Sequence, residues 1–167
     1  TAGETTDLAS AGGAIALTGG KGSNSAASQN GGIGGDILLT GGEALGSDYT
    51  TDVGGDIFLT GGQASSARGG DIEFSTGYSQ STNSGSMKLK TVGSGSAGVS
   101  GAMSLSTGAT TAGESGKIEL GTGQGVGGSG GDIAMSVGTG NYGTGGDVLI
   151  TAGETTDLAS AGGAIAL

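Results

Sequence analysis

Three aspartates, Asp36, Asp56 and Asp71, stand at the same place in a recurring phrase, each directly after a Gly-Gly pair and directly before an isoleucine. Carboxylates repeated at one register position are the residue type and spacing from which a Ca²⁺ ladder is built, because hard cations take oxygen ligands. The more ordinary use of such aspartates is to accept turn amides in Asx motifs. Both readings stand on the residues alone, and Ca²⁺ is the sole cofactor they suggest. The segment GGIGGDILL from Gly31 also matches a calcium nonapeptide, G-G-x-G-x-D-x-U-x. That motif needs tandem nine-residue copies and an aliphatic two residues after Asp, and here the recurring aliphatics fall one and three after it. The match is therefore read as coincidence. No helix is expected after the segment, so it is not a dinucleotide or phosphate loop.

Other chemistry is excluded by what is missing. The chain of 167 residues has no Cys and no His. Thiol catalysis, serine–histidine triads and zinc centres of the usual kind are ruled out, and no catalytic residue is assigned. Five basic residues stand against 15 acidic ones, for a formal charge of -10, which argues against a nucleic-acid phosphate backbone as partner. No apolar run approaches the roughly 20 residues of a bilayer span. The expectation is a protein that is not an enzyme. There is no Asn-x-Ser/Thr sequon at Asn24, Asn30, Asn83 or Asn141.

What must position these residues is a repeat. A nine-residue frame recurs, small-Gly-x-aliphatic-x-aliphatic-Ser/Thr-x-Gly. It reads GGDILLTGG from Gly34, GGDIFLTGG from Gly54, GGDIEFSTG from Gly69, GGDIAMSVG from Gly130 and GGDVLITAG from Gly145. Looser copies begin at Gly12, Ser84, Ser100 and Ser115. The first aliphatics of successive copies are mostly 15 residues apart. A longer repeat encloses the short one, since residues 1–17 and 151–167 are identical. Residues 1–150 are thus read as one unit of nine turns, and residues 151–167 as the start of the next identical unit. The chain is read as a window on a tandem polymer, so it carries no information on targeting.

Within each frame the apolar residues alternate, and a two-residue period predicts a strand with one buried face. The expected core is Ile15, Leu17, Ile37, Leu39, Ile57, Leu59, Ile72, Phe74, Met87, Leu89, Met103, Leu105, Ile118, Leu120, Ile133, Met135, Val148 and Ile150. One strand per 15 residues, all running the same way, predicts an all-β fold: a thin, flat parallel β-solenoid of about nine coils per unit. The Gly pairs are expected to supply positive φ at its turns. GGDILLTGG and GGDIFLTGG resemble the Gly-Gly-Asp-aliphatic-x-Leu-Thr repeats of giant secreted β-solenoid proteins of the filamentous-haemagglutinin type, and Gly-rich extracellular filament proteins are similar. The resemblance implies an extracellular or cell-surface location and a structural or adhesive role.

On that reading Asp36, Leu38 and Thr40 point outward. The residue between the two aliphatics is apolar at Leu38, Phe58 and Leu149, with Thr40, Thr60 and Thr151 beside them. This outward patch is either a set of scattered surface apolars or a lateral interface between copies. Glu73 and Lys88 are expected to pair across neighbouring coils. Two longer connections, Thr18–Gly34 and Thr40–Gly54, are expected to widen the coil at one edge. Two buried aliphatics per coil do not offset the ordering of 15 Gly-rich residues, so an isolated unit is expected to fold poorly or self-associate. The function expected is a structural component of an extracellular fibre whose partner is itself, through tandem continuation and lateral packing. The alternatives are the stalk of a secreted adhesin and an ice-binding solenoid.

Overall fold

The frames determine where this chain touches itself. In a computed structural model that describes residues 2–4, 6, 11–23, 31–48 and 50–166, the end of each frame meets the start of the next. The amide of Gly35 donates to the carbonyl of Gly20 at 2.7 Å, Gly55 to Gly42 at 2.8 Å, Gly70 to Gly62 at 2.8 Å and Gly85 to Gly77 at 3.0 Å. Gly13 to Gly3 at 2.9 Å and Gly163 to Gly153 at 2.8 Å complete the set. In every case the donor is the second residue of a frame; the acceptor is the ninth residue of the frame before it, except Gly3, which stands where Gly153 does in the later copy. The intervening chain is pinched into a closed loop, whether the connection is six residues long, as at Gln63–Arg68, or eleven, as at 43–53. Loops with ends in contact form the Ω-loop class.

This register explains a regularity of the sequence. The second residue of the frame is Gly in every copy. At the hydrogen-bonded necks a Cβ on Gly35 or Gly55 would lie 2.9 Å from the nitrogen of Gly20 or Gly42, tighter than real side chains allow. At other necks the eighth residue of the preceding frame lies over the same glycine. A Cβ on Gly116 would meet Thr107 Cγ2 at 3.5 Å, one on Gly131 would meet Thr122 Cγ2 at 3.6 Å, and one on Gly146 would meet Val137 Cγ1 at 2.9 Å. Close approach to backbone is what the paired glycine provides at Gly13, Gly35, Gly55 and Gly70; at Gly85, Gly101, Gly116 and Gly131 a Cβ would make ordinary contacts of 3.5–3.8 Å, and none of these glycines has positive φ. Positive φ falls instead inside the connections, at Gly32, Gly98, Gly113, Gly127 and Gly143. Four of these lie two residues before the next frame begins, where the returning loop must reverse.

The chain divides into two units, Thr1–Lys88 and Leu89–Leu167. The first contains the hydrogen-bonded necks from Gly3–Gly13 to Gly77–Gly85. The second contains the Thr91, Thr107, Thr122 and Val137 contacts and the Gly153–Gly163 bond.

The all-β expectation is overturned. No strand and no helix occurs among the described residues, so the chain is not a parallel β-solenoid and the likeness to filamentous-haemagglutinin-type solenoids does not hold. The necks supply the physical reason. Parallel rungs stacked in register would put the second residue of one frame beside the second residue of the next, about 4.8 Å away. The eighth residue would then lie six strand residues distant, about 20 Å. Here the eighth residue touches the next frame's second. Between the Ile72 and Met87 frames the described residues share one backbone hydrogen bond, at the neck, and no ladder. At most one bond per neck leaves most frame amides and carbonyls among the described residues without a backbone partner.

No side chain among the described residues is buried. The total accessible area is 16255 Å² for 15.3 kDa. A folded monomer of that mass exposes about 7,000 Å² and its extended chain about 22,000 Å². Six described residues are half-buried, and four of them, Gly19, Gly41, Gly61 and Ala152, are the eighth residue of a frame. Most of the covered points among the described residues are therefore at the necks.

Candidate association surface

The frames keep a two-faced character without a sheet. In the Gly34 frame Ile37 is 51% exposed, Leu38 86% and Leu39 59%, and in the Gly54 frame Ile57, Phe58 and Leu59 stand at 51, 85 and 57%. Val148, Leu149 and Ile150 repeat the pattern. An extended backbone turns successive side chains to opposite sides, which accounts for the alternation. Polar contacts mark the same division. Lys117 pairs with Glu119, the third and fifth residues of their frame. Ser75 Oγ donates to Glu73 Oε1 at 2.8 Å, the seventh to the fifth. Residues three, five and seven therefore share a face, and in the Gly34 frame those are Asp36, Leu38 and Thr40.

The structure places the expected core residues on the other face. They range from 49% exposed at Met87 to 78% at Leu89, so each retains apolar surface in contact with water. Leu38, Phe58 and Leu149 are almost fully exposed, and Thr40, Thr60 and Thr151 are exposed beside them. No cavity is found.

The aspartates considered for Ca²⁺ are not brought together. No group of three or more acidic side chains that could hold a metal occurs among the described residues. Asp71 instead accepts from Arg68 Nη1 with both oxygens, at 2.7 and 2.9 Å. Asp36 and Asp56 are exposed. The expected Glu73–Lys88 pair is absent, and Glu73 takes the Ser75 hydroxyl in its place.

Asx chemistry appears in the connections and not at the frame aspartates. Asp48 Oδ1 accepts from the Thr50 amide at 2.8 Å and from Thr50 Oγ1 at 2.6 Å. The Asp48 amide donates to Asp52 Oδ2 at 2.8 Å, and the Asp52 amide returns to the Asp48 carbonyl at 3.1 Å. Asp157 Oδ2 accepts from Ser160 Oγ at 2.6 Å, and its Oδ1 accepts from the Ala159 amide at 3.0 Å. These donors stabilise the ionised form. The Thr50 hydroxyl leads in holding Asp48 below the usual aspartate range, and the Ser160 hydroxyl leads in holding Asp157 there. The signal was available as Asp-x-Thr and Asp-x-x-Ser spacing, which suits Asx and ST turns. The counterpart of Asp157 in the first copy, Asp7, lies outside the described residues, as does most of the longest connection, residues 24–30.

No protein-family model, no curated protein and no solved structure matches this chain. No helix among the described residues is long and apolar enough to cross a membrane.

Proposed function

We propose that this chain is a non-enzymatic structural protein of a fibre, in which repeated frames associate with frames of other copies. The observation that carries the reading is the coexistence of a strict apolar alternation with the absence of any buried side chain among the described residues. Fully burying an aliphatic side chain is worth about 1.5–3 kcal/mol. A first-position residue at about half exposure, such as Ile72 or Ile118, has roughly half of that still to gain, on the order of 1 kcal/mol. Summed over many frames, contact between copies gains what a single copy leaves unburied. The tandem identity of residues 1–17 and 151–167 supports the same reading, because it multiplies one contact along one polymer.

Sedimentation velocity from 1 to 200 µM tests the proposal. Rising weight-average mass with concentration is the expected result. A single monomeric boundary across that range rejects it.

A further inference from the structure

We propose that the surface around Leu38 and Phe58 docks the Lys88–Lys90 frame of a second copy of this chain, an inference that rests on the self-association just proposed. The segment that forms this surface is rich in exposed apolar side chains. Ile33, Leu38, Leu45, Val53 and Phe58 are each at least 80% exposed, and no other stretch of similar length holds as many large apolar side chains so open to water. Exposed apolar surface on this scale marks interaction sites.

Charge selects the occupant. From Gly22 to Ala67 the chain carries Asp36, Glu43, Asp48, Asp52 and Asp56 and no basic residue. Two such stretches repel one another, so the symmetric pairing of patch with patch is disfavoured. Between Glu73 and Glu114 the only charged residues are Lys88 and Lys90. Both are exposed, and neither belongs to an ion pair among the described residues. The other two basic side chains outside the connection at Lys21 are already engaged, Arg68 with Asp71 and Lys117 with Glu119. Lys88 and Lys90 are the fifth and seventh residues of their frame, the same face that presents Leu38 and Thr40 in the Gly34 frame. Met87 and Leu89 supply apolar surface on the opposite side.

A contact between two different surfaces of the same chain is heterologous. Such contacts extend into open assemblies when the rotation does not close. The contact also holds neighbouring copies out of register, because the acidic and basic stretches lie in different frames. Complementary charge sets partner choice and register, and it weakens as salt screens it.

The test uses the full chain at 50 mM and 500 mM NaCl, read by sedimentation velocity. Wild type is expected to associate at least tenfold more weakly at the higher salt. Lys88→Glu/Lys90→Glu and Asp36→Lys/Asp56→Lys chains are each expected to associate at least tenfold more weakly than wild type at 50 mM NaCl. Mixing the two variant chains restores association, since the new glutamates then face the new lysines. All four substituted positions are exposed, so neither variant removes a buried contact. If wild type associates and the Lys88→Glu/Lys90→Glu chain associates equally well, the docking inference fails while the self-association reading stands. Weakened variants that do not recover on mixing overturn the pairing of these two segments. A wild type that remains monomeric throughout overturns the self-association reading and this inference with it.

Discussion

Consider Gly61→Ala. Gly61 is the eighth residue of its frame, and a Cβ there would be driven into the carbonyl oxygen of Gly70, closer than any real Cβ contact. Relief requires that the neck open, which breaks the 2.8 Å bond from the Gly70 amide to the Gly62 carbonyl. Gly62, the next residue, makes a matched control, because a Cβ there meets nothing within 4 Å and its φ is not positive. A backbone hydrogen bond of this kind is worth about 1 kcal/mol net. That corresponds to roughly fivefold slowing of amide exchange at Gly70 relative to an open chain. Gly61→Ala is expected to remove this slowing. Gly62→Ala is expected to keep it or raise it slightly, since replacing Gly by Ala narrows the open ensemble by about 0.4–1 kcal/mol. The assay is site-resolved amide exchange by NMR at low concentration. Equal exchange at Gly70 in both variants would refute the neck as the unit of local structure, because only one of the two substitutions enters it.

Leu38→Ser/Phe58→Ser, which removes apolar surface without adding charge opposite Lys88 and Lys90, is expected to weaken self-association at least tenfold in sedimentation while leaving Gly55 and Gly70 amide exchange in the dilute chain unchanged; undiminished association would place the contact elsewhere. Asp48 and Asp157 are expected to titrate below the usual aspartate pKa of about 3.9 in a carboxyl-carbon NMR titration. Since both values are lowered in the structured loops, the turn contribution is present above the ordinary carboxylate range and is lost as pH falls through the lowered values. Ordinary titration of both groups would show that the Thr50 and Ser160 bonds do not persist in solution. Arg68→Gln is expected to change the Gly70 amide exchange less than twofold, because an exposed, screened ion pair contributes at the low end of about 0–1 kcal/mol, under roughly 0.4 kcal/mol; a larger change would make the pair part of the neck.

The nine-residue frame, its spacing and its two faces were legible in the sequence. Period two assigns Ile37 and Leu39 to one side and Leu38 to the other, and the exposures follow that division. The partner of each face was not legible. A repeat of 15 residues is satisfied equally by rungs that stack and by loops that close on themselves, because both bring the chain back once per period. Deciding between them requires knowing which frame positions touch. The relevant clue was the second glycine of each frame, present in all copies, including those where the first is Ser84, Ser100 or Ser115. At Gly13, Gly35, Gly55 and Gly70 a backbone approach within about 3 Å of a would-be Cβ requires that glycine, whereas at Gly85, Gly101 and Gly116 a Cβ would make ordinary contacts of 3.5–3.8 Å and close approach does not account for it. The aspartates misled in a similar way. Asp36, Asp56 and Asp71 share a register position, but without stacked rungs that register gathers no group of three or more carboxylates among the described residues. The local Asx turns at Asp48 and Asp157 sit in the connections, where no repeat drew attention to them.

The most direct test of a coreless single copy is amide exchange at Ile72, Phe74 and Ile118 in a dilute, monomeric sample. The account predicts rates within about tenfold of an unprotected chain, since these amides make no backbone hydrogen bond among the described residues. Protection of a thousandfold or more at these positions in the monomer would reveal a closed ladder and contradict it.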